Sequence, residues 1–333
     1  MQDKGKLAFV ALVFAALALY PLVGGKYGVD LVTKIMVYAI FALSLELLVG
    51  GTGLVCFGQA AFFGIGAYAA VRLSPEADPA SIAWLLPASI ALAGLYALAV
   101  GALSLRTKGA YFIMVTLAFA QMAYYVVHDT PLGGGTDGIY LNVKPVLGSL
   151  VDLDRPLVMY GFTLASLVLV FALLALVARS RFGRALAGIR VNEQRMRATG
   201  FSTYPYKLAA FTLSGALAGW AGFLFAVKDG YVNPEMLSWH QSGWVLIMVI
   251  LGGIGHLRGA LIGAFAFVLL QEFFKSEPVF GAFAKHWHLG LGLTIIASVA
   301  LLPKGLVGLP AVLRTRLLGR DARRAQGEQG QPR

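Results

Sequence analysis

Apolar runs of near 20 residues recur along this 333-residue chain, and they constrain its fold more than any other feature. A helix needs about 20 apolar residues to cross the hydrocarbon of a bilayer, within a range of roughly 17 to 25. Segments 7–23, 29–49, 51–72, 81–105, 109–128, 157–178 and 207–227 are close to that length. Segments 239–255, 257–274 and 287–303 are shorter or interrupted, by Gly252, Gly253, Gly255 and Gly259 and by the ends near Pro278 and Pro303. Only 13% of the residues are charged and 58% are apolar, with a mean hydropathy of +0.75. Soluble domains carry about 25% charged residues, so a bilayer must be part of this chain's solvent. The expected fold is an all-α polytopic membrane protein with about ten (nine or ten) transmembrane helices, some Gly-rich segments being broken or re-entrant. The first run exceeds the apolar core of a secretory signal and no A-x-A site follows it, so it is expected to stay as an uncleaved helix.

Lys and Arg positions orient the bundle. If both termini are cytoplasmic and all ten segments cross, 19 of the 27 basic residues fall inside, seven of them between Arg179 and Lys207. Most acidic residues, including Asp30, Asp129, Asp137, Asp152, Asp154, Asp229, Glu235 and Glu272, then fall outside. A cation excess in short inner loops is the positive-inside pattern, and it explains the net charge of +11 without nucleic acid. No basic patch interleaved with aromatics and no zinc spacing argues for nucleic-acid binding. A single cysteine, Cys56, excludes an intrachain disulfide.

Residues 1–313 therefore read as one transmembrane domain, and 314–333 as a basic cytoplasmic tail, disordered and attracted to anionic lipid. Two loops stand out. Residues 129–156 form a large external loop with four aspartates, and 179–206 a basic internal one. In the internal loop Phe182, Leu186, Ile189 and Met196 recur on one helical face, with Arg181, Arg184, Arg195 and Arg197 around the rest. Ser180 and Asn192 suit N-caps, and Gly200 a helix stop. One or two short amphipathic helices are expected, lying on lipid or docking into a partner's groove.

Within the spans, Glu46 is the one well-submerged carboxylate and Gln59 a polar side chain in a Gly-rich block, so both are pathway candidates. Thr116 and Gln121 join them. Gly58, Gly64 and Gly66, like Gly252, Gly253, Gly255 and Gly259, permit close helix packing or mark broken helices. Gly50-Gly51-Thr52-Gly53…Gly58 resembles Gly252-Gly253-Ile254-Gly255…Gly259, as two halves of a parallel repeat would. His286-x-His288 lacks the further ligands of a metal site. There is no G-x-S-x-G element and no phosphate-binding G-x-x-x-x-G-K-[ST] loop, so no catalytic set, metal or cofactor is expected.

Several blocks carry a family resemblance. Gly51–Ala70 (GTGLVCFGQAAFFGIGAYAA), Leu105–Met122, Gly133–Ile139, Ser180–Phe201, Met248–Ala264 and Leu301–Leu309 occur in order over nearly the whole chain. They resemble the permease subunits of branched-chain amino-acid ABC transporters, most closely the M-type subunit that pairs with an H-type partner. Departures are Glu46, where the family usually has Asn, Gln121, where it often has Glu, and a less Ala-rich segment at 193–200. The resemblance implies a multi-pass subunit of the bacterial inner (plasma) membrane that carries branched-chain amino acids, or related solutes such as urea and amides, and performs no covalent chemistry. It further implies an H-type second permease, cytoplasmic ATP-binding subunits and an external solute-binding protein as partners. Phe182, Gly183, Arg184, Leu186, Ile189, Arg190, Glu193, Arg195 and Gly200 would form the ATPase-coupling loop. The alternative is a proton- or ion-coupled secondary carrier using Glu46.

Overall fold

The computed structural model describes residues 2–75, 77–131, 133–147, 151–276, 280–302 and 305–309. The tail expected at 314–333 lies outside them. Helices occupy all ten expected segments: α1 (Gln2–Leu19), α2 (Lys26–Thr52), α3 (Gln59–Arg72), α4 (Ile82–Ser104), α5 (Ala110–Asp129), α6 (Pro156–Arg179), α9 (Thr203–Asp229), α10 (Trp239–Gly252), α11 (Leu257–Lys275) and α12 (Trp287–Leu301). Two short helices, α7 (Arg181–Val191) and α8 (Glu193–Ala198), lie between α6 and α9.

The expected set of about ten transmembrane helices, some of them broken or re-entrant, is met in part. Among the described residues six helices, α2, α4, α5, α6, α9 and α11, are long and apolar enough to cross a membrane. Segment 51–72 is not one helix, because α2 runs on to Thr52 and the chain is then non-helical until Gln59. Segment 239–255 likewise stops at Gly252, where Gly253 and Gly255 take positive φ angles of 116° and 89°. Both interruptions are backbone events, and glycine supplies the conformation they need.

Burial sorts the helices into layers. α2 is apolar on every side and almost wholly enclosed by protein, as a helix hydrophobic all round must be when it is central. α9 lies against it and packs most extensively on α3 and α4. The contact is made by small residues. A Cβ on Gly66 would meet the backbone of Gly219, and one on Gly222 the Phe63 carbonyl. In lipid such close approach replaces the hydrophobic drive that assembles soluble cores. α4, α5 and α6 are peripheral, and Leu95, Tyr111, Met114, Met122 and Leu169 point outward.

The two ends of the bundle differ in charge, as the loop residues imply. At one end, which the cation pattern makes the inner, α7 packs on the end of α2 and α8 on α7 and α9. At the other, the 129–156 loop forms three two-residue strands: β1 (Ile139–Tyr140), β2 (Val146–Leu147) and β3 (Val151–Asp152). β1 pairs antiparallel with β4 (Tyr231–Val232) in the α9–α10 connection, and β2 with β3. Tyr140 and Tyr231 rings meet at 4.8 Å, and Tyr231 Oη donates to the Asp137 carbonyl at 2.8 Å. The same end holds Lys228 against Asp30 at 2.9 Å and Lys144 against Asp154 at 3.5 Å.

Candidate functional site

Two regions gather the polar residues that the apolar spans isolate. The first lies deep in the bundle. Gln59 Nε2 donates to Ser44 Oγ on α2 at 2.9 Å and to Ser214 Oγ on α9 at 3.0 Å. Ser44 lies eight residues before the inner end of α2, or about 12 Å at 1.5 Å per residue. Ser214 lies eleven residues into α9, or about 16 Å. Helix α3 therefore starts about halfway through a hydrocarbon layer some 30 Å thick. Residues 53–58 climb back from the inner end to reach that point.

A helix beginning inside a membrane must still satisfy its first N–H groups. Gly58, the N-cap, has no side chain to do so. Neighbouring helices substitute. Ala60 N–H donates to Ser242 Oγ of α10 at 3.0 Å, and Phe57 N–H to Thr116 Oγ1 of α5 at 3.3 Å. A Cβ on Gly58 would come within 2.9 Å of the Thr116 carbonyl, so the close approach explains this glycine. Gln59 and Thr116 are thus brought together. Gln121 lies more than a turn further along α5, half-buried and apart from this cluster. Gly64 faces the Leu237 side chain. The serines were not anticipated, since each is one hydroxyl in an apolar run with no motif around it.

The second region is the inner end. Ser180 caps α7, its Oγ accepting from Gly183 N–H at 3.2 Å, and Asn192 Oδ1 accepts from Arg195 N–H at 2.8 Å to cap α8. Gly200 ends α8 with a φ of 81°, Gly200 N–H bonding the Arg197 carbonyl and Phe201 N–H that of Met196. This is the Schellman arrangement, which needs a left-handed residue at that point.

The apolar stripe is used differently from the groove-docking expectation. Leu186 and Ile189 are buried in this chain's own bundle, and Phe182 stacks on Tyr206 of α9 at 5.7 Å. The stripe anchors the loop to the membrane helices. The residues that remain exposed include Arg181, Arg184, Arg190, Val191, Arg195 and Arg197. Periodicity identifies an apolar face but not which body will cover it.

Ionic contacts reinforce the anchorage. Glu193 Oε1 lies 2.6 Å from Arg197 and 2.9 Å from Lys207 Nζ, and accepts from Thr203 Oγ1 at 3.0 Å. Arg190 Nη1 donates to the Gly50 carbonyl at the end of α2. Glu46 Oε1 accepts from Gly255 N–H at 2.7 Å, beside the start of α11, where the His256 N-cap makes no side-chain bond. The two Gly-rich blocks touch here, since a Cβ on Gly50 would fall 3.1 Å from Gly255 Cα. Gly252 and Gly259 also meet backbone to backbone. Each block ends one helix and precedes another, but α11 starts beside the end of α10 whereas α3 starts deep in the bundle.

The profile of the family described as "Branched-chain amino acid transport system / permease component" matches residues 27–299. The chain belongs to this family. Branched-chain amino acid permeases similar to it include the high-affinity transport system permease protein LivM of Escherichia coli K12. That protein is 31% identical over 91% of this chain and 75% of its own length. LivM of Salmonella typhimurium LT2 gives the same identity and coverage. The autoinducer 2 import system permease protein LsrC of Klebsiella pneumoniae is 34% identical over 35% of this chain and 36% of its own. No solved structure matches. This permease is therefore a multi-pass membrane transport subunit of the ABC class, with an amino-acid transport lineage.

Proposed function

We propose that this chain is one membrane-spanning half of an ATP-driven importer that carries branched-chain amino acids across a bacterial inner membrane. Energy comes from separate ATP-binding subunits on the inner face, and solute from an external binding protein that docks near the 129–156 loop. An H-type permease completes the core. Urea and short amides are the related solutes.

The observation that carries this reading is the α7–α8 element. Its apolar face and Glu193 are locked onto α2, α6 and α9 while its arginines stay exposed. Such an element transmits displacement, because a push on its outer face moves the helices it is locked to. Gln59, Thr116 and the break at 53–58 are the chain's contribution to the solute path, since irregular backbone at membrane depth is tolerated only inside protein or beside water.

Reconstitution tests it. Vesicles holding this permease, its partner permease and the ATPase should move leucine only with ATP and binding protein, and an uncoupler should leave the rate unchanged. Uptake by the lone chain that collapses with an uncoupler would instead establish the carrier reading. That reading rests on Glu46 alone, whose Oε1 bonds Gly255 N–H.

A further inference from the structure

A cavity of about 480 Å³ opens at the inner end between α2, α6, α7 and the start of α11. Its size falls within the roughly 300–1,000 Å³ usual for small-molecule sites. Two opposite charges, Glu46 and Arg190, line it together with aliphatic walls from Leu47, Leu174, Val177 and Leu186.

Both charges have unused capacity. Glu46 is 3% exposed; Oε1 holds Gly255, and Oε2 has no hydrogen-bond partner among the described residues. A buried acceptor left unmatched is costly, so it favours any donor that can reach it. Oε2 is sealed at the wall. The terminal torsion of glutamate is broad, so the carboxyl can turn to meet a donor that enters the cavity. A guanidinium carries five N–H donors. Arg190 gives one to Gly50 and stands on the exposed helix.

The pairing selects among ligands. A simple anion would answer Arg190 and be repelled by Glu46. A simple amine would do the reverse, and a hydrocarbon would satisfy neither. A compact zwitterion with an aliphatic body satisfies both charges and the walls.

We propose that this cavity binds a free aliphatic α-amino acid from the inner side, its ammonium on Glu46 and its carboxylate on Arg190. This rests on the reading of the chain as a branched-chain amino-acid permease, which makes that ligand the transported product. The occupant bridges α2 and α7, so it favours the conformation in which the coupling element is held against α2. Accumulated product then slows the cycle from a site apart from the solute path.

Ala187→Cys puts a thiol on the α7 wall of a chain whose native Cys56 is buried, and Ala178→Cys does so on the α6 wall. The permease–ATPase complex is placed in vesicles of phosphatidylcholine and phosphatidylglycerol and treated with maleimide from the ATPase side. Millimolar L-leucine should slow labelling several-fold at both positions. 4-Methylpentanoate, which lacks the ammonium, and 3-methylbutylamine, which lacks the carboxylate, should leave the rate unchanged, and Glu46→Gln should remove the protection. No protection by leucine, or equal protection by either single-charge analogue, overturns the inference. Protection that needs phosphatidylethanolamine and no leucine assigns the cavity to a lipid headgroup and overturns it too. Leucine transport toward the ATPase side, measured in the same vesicles, separates the two readings. Transport without protection removes the cavity site alone, whereas absence of transport with binding protein present removes the proposed function.

Discussion

The Glu193 carboxylate on α8 lies 2.9 Å from Lys207 Nζ in the second turn of α9, tying the basic inner loop to a central membrane helix. Lys207 is nearly buried, with a side chain 5% exposed. Removing its partner leaves a cation without its match. Glu193→Gln should therefore lower stability by about 1–3 kcal/mol, measured as thermal unfolding in detergent. A cycle with Lys207→Met should show that the two changes are not additive.

Acid should erase that difference. Burial pushes the Glu193 carboxyl up, but hydrogen bonds from Lys207 and Thr203 and the charges of Lys207 and Arg197 outweigh it, holding it below its ordinary 4.5. A carboxylate depressed in the folded state stabilises fully above its unfolded value and loses that contribution as pH falls through the folded value. The stability gap between wild type and Glu193→Gln should stay constant above pH 4.5 and close below it.

Arg184 and Arg195 project from the inner face, whereas Leu186 and Ile189 point into the bundle. Arg195→Glu should abolish co-purification of the ATPase with little change in folded yield. Leu186→Ala should do the opposite, costing about 2–5 kcal/mol of stability. Retained ATPase in Arg195→Glu would show that this face is not the docking surface.

Orientation is separately measurable. With Cys56 buried, Tyr140→Cys should react with an impermeant maleimide only from outside whole cells, and Arg184→Cys only in inverted membranes. Labelling of Arg184→Cys from outside would reverse the topology.

Gly222 and Gly243 both sit inside helices but differ in surroundings. A Cβ on Gly222 would strike the Phe63 carbonyl, while Gly243 has nothing within 4 Å. Gly222→Ala should separate α3 from α9 and cost about 1–3 kcal/mol. Gly243→Ala should be neutral or stabilise slightly, as alanine does in an open helix position. Thermal retention of monodisperse protein distinguishes them.

Much of the membrane character lay in the order of the residues. Run lengths placed ten helical segments. The cap at Ser180, the cap at Asn192 and the stop at Gly200 are local chemistry, because each acts on backbone within a few positions of itself. Family membership was legible for the same reason, since its blocks are contiguous stretches.

Only the tertiary structure decided what faces what. The sequence marks Gly50 and Gly255 as unusual, yet not that they adjoin. It marks Glu46 as submerged, yet not that it serves the N–H of a residue 209 positions away. Ser44, Ser214 and Ser242 are invisible as a group until α2, α9 and α10 converge on the start of α3. The stripe through Leu186 and Ile189 has a period any buried face would share, and folding alone turned it inward. Periodicity and capping are short-range properties of the chain. The partner that pairs with a buried donor or covers an apolar face is set by the packing of helices distant in sequence.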